Sequence, residues 1–96
     1  MQLSNIEVQH DLERRLKRIE GQVRGVQRML DDGRDCQAVL QQLAAVRAAV
    51  HQASLVLVRA HATECLRQPV PERTPEQLVE ELMGTLAGLP PREVTE

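Results

Sequence analysis

Residues 35–67 read DCQAVLQQLAAVRAAVHQASLVLVRAHATECLR, and this run decides the fold. It contains neither Gly nor Pro, the two residues that interrupt helices most strongly. Val39, Leu40, Leu43, Val46, Ala49, Val50, Ala53, Leu57 and Ala60 recur mostly three or four apart, the period of an amphipathic helix. Asp35 is a good N-cap, and Gln68-Pro69-Val70-Pro71 is a stop signal. The pattern predicts one helix from about residue 35 to about residue 67. At about 32 residues it would be long for a globular domain, where three to four turns is usual. Such a helix calls for a partner chain packed along it.

The flanking segments read as two further helices. Leu12, Leu16, Ile19, Val23, Val26 and Leu30 alternate spacings of four and three, predicting a helix over about 5–31 that stops at Asp31-Asp32-Gly33, a C-cap signal. Gly21 and Gly25 sit inside it at about 1 kcal/mol each relative to Ala, which suggests close approach by a neighbouring helix or a phosphate backbone. The third helix, about 75–87, starts with Thr74 as N-cap, Pro75 in the first helical position and Gln77 completing a capping box. Leu78, Val79, Leu82, Met83 and Leu86 follow at helical spacing; Gly88 and Pro90-Pro91 end it, leaving residues 88–96 as a disordered tail. No strand pattern or internal repeat is present. The chain reads as one all-α domain over 1–96.

The 96 residues include no Phe, Tyr or Trp, so the core must be built from Leu, Val, Ala, Ile and Met. Small domains are marginal alone, and oligomerisation is expected. The net charge of −2 argues against a simple polycation. The charge is uneven: residues 1–30 carry six Lys/Arg against four Asp/Glu, and residues 69–96 carry two against six. That asymmetry hints at an anionic partner for the N-terminal helix. With no signal peptide and no apolar run near 18 residues, no membrane span is expected. The two cysteines read as thiols of a cytoplasmic protein.

Three residues carry the chemistry: Cys36, His61 and Cys65. His61 and Cys65 are four apart, so a helix puts imidazole and thiol on one face. Cys36 lies 25 residues before His61, on the order of 37 Å away along the same helix at about 1.5 Å per residue. One chain cannot easily bring all three to one ion. Two antiparallel chains can, with Cys36 of one beside His61 and Cys65 of the other. Two thiolates and one imidazole make a soft donor set that favours Cu(I). Cys36 opens the long helix, where the helix dipole favours an anion. The bland alternative is a pair of inert small hydrophobes. His10 and His51 read as surface or packing residues.

On a wheel of about 100° per residue, Arg14, Arg15, Lys17, Arg18, Arg24 and Arg28 fall away from the apolar arc of the first helix, with Gln22 near them and Glu13 and Glu20 at one border. A solvated face is the plain reading. A phosphate-contacting face is the sharper one, because Lys and Arg supply most non-specific DNA affinity and Arg also reads guanine edges. There is no helix-turn-helix or zinc-finger spacing.

The stretch RLKRIEGQVRGVQRM, Arg15–Met29, resembles the signature of the copper-sensitive operon repressor (CsoR/RcnR) family. Cys36, the segment Gln41–Ala49, and His61 with Cys65 continue the match, which covers about residues 10–87. The resemblance implies a dimer in which the first two helices form an antiparallel four-helix bundle with the third outside. It implies further that two dimers assemble into a disc-shaped tetramer. The metal-free tetramer would repress by binding double-stranded operator DNA, and the ligand would release it. Cys36 from one protomer with His61 and Cys65 from its partner matches the family's copper-sensor set. That match implies one Cu(I) per protomer and derepression of copper-resistance genes. Nickel and cobalt sensors add a His near the N-terminus, where this chain has Ser4, with His10 two turns further on. Formaldehyde sensors need a Pro after the initiator Met, and this chain has Gln2. Persulfide sensors keep the two cysteines but lack the His. Copper sensors often pair a Tyr beside the first Cys with a Glu in the third helix. Glu81 matches the Glu, but Asp35 stands at the Tyr position. Two ionised carboxylates cannot hydrogen-bond each other, so support for the metal site is expected through the His61 N–H and Glu81.

Two other functions compete. A thiol-based sensor of persulfides or oxidants would use Cys36 to attack and Cys65 to resolve. A copper-storage bundle would make no use of the basic face. An enzyme is not expected, since no nucleophile, base and orienting group come together.

Overall fold

The structure is a computed structural model, and it describes residues 5–67 and 72–88. Three helices follow in order: α1 Ile6–Asp31, α2 Cys36–Arg67 and α3 Pro75–Leu86. There is no strand among the described residues. The expected stop signal for α2, Gln68-Pro69-Val70-Pro71, and the expected tail beyond Gly88 lie outside the described residues, as do Gln2 and Ser4.

Side chains and local hydrogen bonds set each boundary. The Asn5 side chain caps α1, accepting from the N–H groups of Glu7 at 3.0 Å and Val8 at 3.2 Å. At the other end the Arg34 N–H donates to the Met29 carbonyl at 3.0 Å and the Gly33 N–H to Leu30 at 3.2 Å, with Gly33 at φ +69°. This six-to-one and five-to-two pairing is a Schellman motif. A side chain at Gly33 would press Cβ against the following carbonyl. Gly33→Ala is therefore expected to lower stability by about 1 kcal/mol, read as a shift of the denaturation midpoint with the m-value unchanged. The Asp35 carboxylate starts α2 by accepting from the Gln37 N–H at 2.7 Å. The capping box at α3 is complete: Thr74 Oγ1 accepts from Gln77 N–H at 3.1 Å, and Gln77 Oε1 accepts from Thr74 N–H at 2.9 Å.

The four-residue turn 32–35 folds α1 back antiparallel onto α2. α3 packs on α2 and does not touch α1. The result is a slab of 54 × 34 × 15 Å. A helix with its side chains is about 10–12 Å across, so the slab is one layer thick. Its radius of gyration, 17.3 Å, exceeds the about 12.5 Å of a compact chain this long. Its accessible surface, 8046 Å², is about 2500 Å² more than a compact monomer of this mass exposes.

The apolar stripe of α1 divides accordingly. Ile19 and Val26 are buried, whereas Leu16, Val23 and Leu30 are exposed. On α2, Val39 and Ala53 are buried but Leu43, Val50 and Leu57 are exposed. Each exposed trio repeats every seven residues, the spacing of a helix–helix seam. The sequence treats the α1 stripe as a single core face, but in the chain one edge meets α2 and the other meets nothing. Nor does α1 explain its glycines internally, since a Cβ built on Gly21 or Gly25 meets nothing within 4 Å. The expectation of no membrane-length apolar segment also needs correction. By length and composition α2 is long and apolar enough to cross a bilayer, with a mean hydropathy of 1.2 in its 18-residue window. A helix buried between two chains needs the same composition.

Candidate metal centre and nucleic-acid interface

His61 and Cys65 lie one turn apart near the end of α2, and both are half-buried. Cys65 Sγ stands 3.7 Å from His61 Nδ1 and 3.8 Å from Nε2. Donors bound to one ion at about 2.3 Å for sulfur and about 2.05 Å for nitrogen, about 110–120° apart, are about 3.5–3.8 Å from each other. That separation matches two donors on one ion, but Sγ is nearly equidistant from both ring nitrogens, so the imidazole must turn about its Cβ–Cγ bond to aim one lone pair at a shared metal. Cys36 is the exposed first residue of α2, at the opposite end of the same helix. No group of three His, Cys, Asp or Glu side chains able to hold an ion forms among the described residues of one chain. A single chain supplies two donors at one place and one donor far away.

The donors share a face with the uncovered apolar residues. Cys36, Leu43, Val50 and Leu57 occur at every seventh position. Arg47, Ser54 and His61 form a parallel row beside them, and Cys65 follows His61 one turn on. Whatever covers Leu43, Val50 and Leu57 thus also meets the donors.

The two carboxylates expected to support the centre are engaged elsewhere in the chain. Glu81 Oε1 pairs with Arg73 Nη1 at 2.7 Å, and Asp35 caps α2. Neither hydrogen-bonds His61. His10 and His51 are exposed, away from this pair.

The seven expected nucleic-acid residues separate into two sets on α1. Arg14, Lys17, Arg18, Arg24 and Arg28 are exposed. Arg15 and Gln22 are half-buried, because their wheel positions fall at the edge that packs on α2. Gln22 Oε1 is buried without a hydrogen-bond partner. Arg15 Nε donates to Asp11 Oδ2 at 2.9 Å, and Arg14 Nη2 to Asp11 Oδ1 at 3.4 Å. The hydrogen bond from Arg15 holds the Asp11 carboxyl below its ordinary range, so it is ionised at neutral pH. Asp followed by Arg at three and four residues is a helical ion-pair pattern, and it is the sequence signal for this cluster.

A family model described as "Metal-sensitive transcriptional repressor" matches residues 8–87. The copper-sensing transcriptional repressor CsoR of Bacillus subtilis is 44% identical over 69 residues, 72% of this chain and 68% of that protein. The transcriptional repressor RcnR of Escherichia coli is 43% identical over 53 residues, 55% of this chain and 59% of that one. Among solved structures, the copper-sensing repressor CsoR with Cu(I) from Geobacillus thermodenitrificans superposes with a TM-score of 0.73 at 40% identity, covering 92% of each chain. The nickel-responsive regulator InrS superposes at 0.66 with 34% identity, covering 92% of this chain and 96% of that one. The chain therefore belongs to the CsoR/RcnR family of metal-sensitive transcriptional repressors.

Proposed function

We propose that the protein is a cytoplasmic repressor that holds operator DNA in its metal-free form and is released by Cu(I), one ion per protomer, derepressing copper-resistance genes. The observation that carries this reading is the His61–Cys65 pair, already at metal-sharing separation on the same uncovered face as Cys36. The family is one of repressors and not of enzymes. Its members named for copper and for nickel both resemble this chain, so the metal is argued from the donors. Two thiolates and one imidazole suit Cu(I) better than Ni(II), which favours nitrogen and oxygen ligands.

The proposed dimer follows from one register. If a second α2 lies antiparallel with Val50 near the two-fold axis, Leu43 of one copy meets Leu57 of the other. The same register carries Cys36 of each copy to the His61–Cys65 turn of its mate. The exposed row Leu16, Val23 and Leu30 of α1 completes the four-helix bundle. Two such dimers form the tetramer, which repeats the basic α1 surface of Arg14, Arg15, Lys17, Arg18, Gln22, Arg24 and Arg28 around double-stranded DNA, so that multivalent contact raises affinity. In this assembly Cu(I) supplies a soft centre that ties two α2 helices together. The release of DNA follows if the tied arrangement binds DNA less well, and DNA must then weaken Cu(I) binding by the same factor.

Fluorescence anisotropy of a labelled duplex from upstream of the protein's own gene tests the reading under anaerobic conditions. Metal-free protein is expected to bind it, and one Cu(I) per protomer is expected to reverse binding. Binding that ignores Cu(I) but is lost with polysulfide, with a protomer cross-link on a non-reducing gel, would favour the thiol sensor. His61→Ala is expected to keep Cu(I) on the two thiolates while weakening its effect on DNA at least tenfold. Release as efficient as wild type would remove His61 from the coupling.

A further inference from the structure

An ion triad of Asp11, Arg14 and Arg15 sits near the start of α1. Asp11 divides its two oxygens between two guanidinium groups, Oδ2 to Arg15 Nε and Oδ1 to Arg14 Nη2. The Arg15 and Asp11 side chains are 37% and 34% exposed, whereas Arg14 is 69% exposed. The pair Asp11–Arg15 is therefore held against the hairpin, and Arg14 reaches in from the open face.

We propose that Asp11 is a positioning residue of the nucleic-acid surface: it fixes Arg15 by Nε and draws Arg14 beside it, so that the outer edge of Arg15 is presented to a paired acceptor on DNA. This rests on the repressor reading above. The chemistry follows from the shape of guanidinium. Arg has five N–H donors in a rigid fork. The bond to Asp11 uses Nε and leaves Nη1 and Nη2, the edge that matches guanine O6 and N7 or two phosphate oxygens. Two guanidinium groups this close repel each other unless an anion lies between them, and the Asp11 carboxylate is that anion. It also orders the Arg15 side chain before DNA arrives, removing part of the entropy cost of immobilising it on binding. The hydrogen bond that lowers the Asp11 carboxyl keeps it charged throughout the neutral range.

The position makes the test sharp, because charge alone predicts the opposite result. Removing a carboxylate from a DNA-binding face should strengthen attraction to phosphates. If Asp11 positions Arg15, Asp11→Asn should weaken it. Full-length wild type and the variants Asp11→Asn, Asp11→Glu and Arg15→Ala would be titrated without metal into two labelled duplexes, one from upstream of the protein's own gene and one shuffled. Asp11→Asn is expected to weaken binding to the upstream duplex about tenfold, the low end of a lost bidentate contact. Asp11→Glu, which also reaches four residues along a helix, is expected to recover most of the loss. A loss confined to the upstream duplex assigns the acceptor to a base edge, and an equal loss on both assigns it to phosphate. Asp11→Asn binding as tightly as wild type, or more tightly, while Arg15→Ala loses affinity would overturn the proposal and leave the repressor reading intact. Wild type that binds neither duplex would overturn both. Circular dichroism and gel filtration of Asp11→Asn matching wild type show that a loss is not one of folding.

Discussion

Val50→Asp is expected to dissolve the assembly and, with it, both activities. Val50 is 45% exposed in the single chain and stands midway along the row from Cys36 to Cys65. In the proposed register it lies beside its own symmetry mate. Two carboxylates would then face each other in an apolar seam, each facing a desolvation penalty of several kcal/mol and repelling the other. An isolated chain has little to fall back on. Among the described residues the buried apolar ones are Ile19, Val26, Val39, Ala53 and Leu78, none of them is fully enclosed, and none is aromatic. The excess surface of about 2500 Å² is at the upper end of what one partner buries in an obligate interface. Sedimentation should show a monomer, circular dichroism a large loss of helix at micromolar concentration, and anisotropy no DNA binding. A folded, DNA-binding oligomer of Val50→Asp would place the interface elsewhere. Val50→Ala is the milder companion: it keeps the surface apolar and should lower stability with the same oligomeric state.

Cys36→Ser and Cys65→Ser are each expected to leave a DNA-binding repressor that Cu(I) no longer controls. A structural zinc site with four ligands is worth about 10–16 kcal/mol, or about 3 kcal/mol per ligand. On that scale loss of one thiolate lowers metal affinity by about 10²-fold, and competition with a Cu(I) chelator reads the change directly. The two variants together distinguish a site within one chain from one shared between chains. Mixed and refolded in equal amounts, they give about half mixed dimers, each with one complete site and one lacking both thiolates. About one quarter of the wild-type Cu(I) capacity should return. A site within a single chain would return none.

The seam and the site bear on each other, because the same face serves both. A helix long and apolar enough to cross a membrane is the form an interface helix takes when it must reach from one metal donor set to another in its partner. The about 37 Å between Cys36 and His61 is therefore a measure of the overlap that the proposed dimer needs.

Much of this was legible in the residues alone. The absence of Gly and Pro between positions 35 and 67 determined the length of α2. Thr74 with Gln77, and Gly33 after Asp32, marked boundaries the structure reproduces, because caps depend on a few neighbouring atoms. The spacing of His61 and Cys65 determined that they meet, since a helix turn is local geometry, and the distance to Cys36 determined that one chain cannot complete the set. Tertiary structure alone decided which edge of the α1 stripe is core. Leu16 and Ile19 look alike in sequence, and only the packing angle of α2 buries the second and leaves the first exposed. That angle also leaves Arg15 and Gln22 half-buried at the edge of the basic face. The pairing of Glu81 with Arg73 is likewise visible only in the folded chain. The physical reason is that a periodic pattern specifies a face to within a broad arc, whereas burial and longer-range pairing depend on which neighbour crosses that arc.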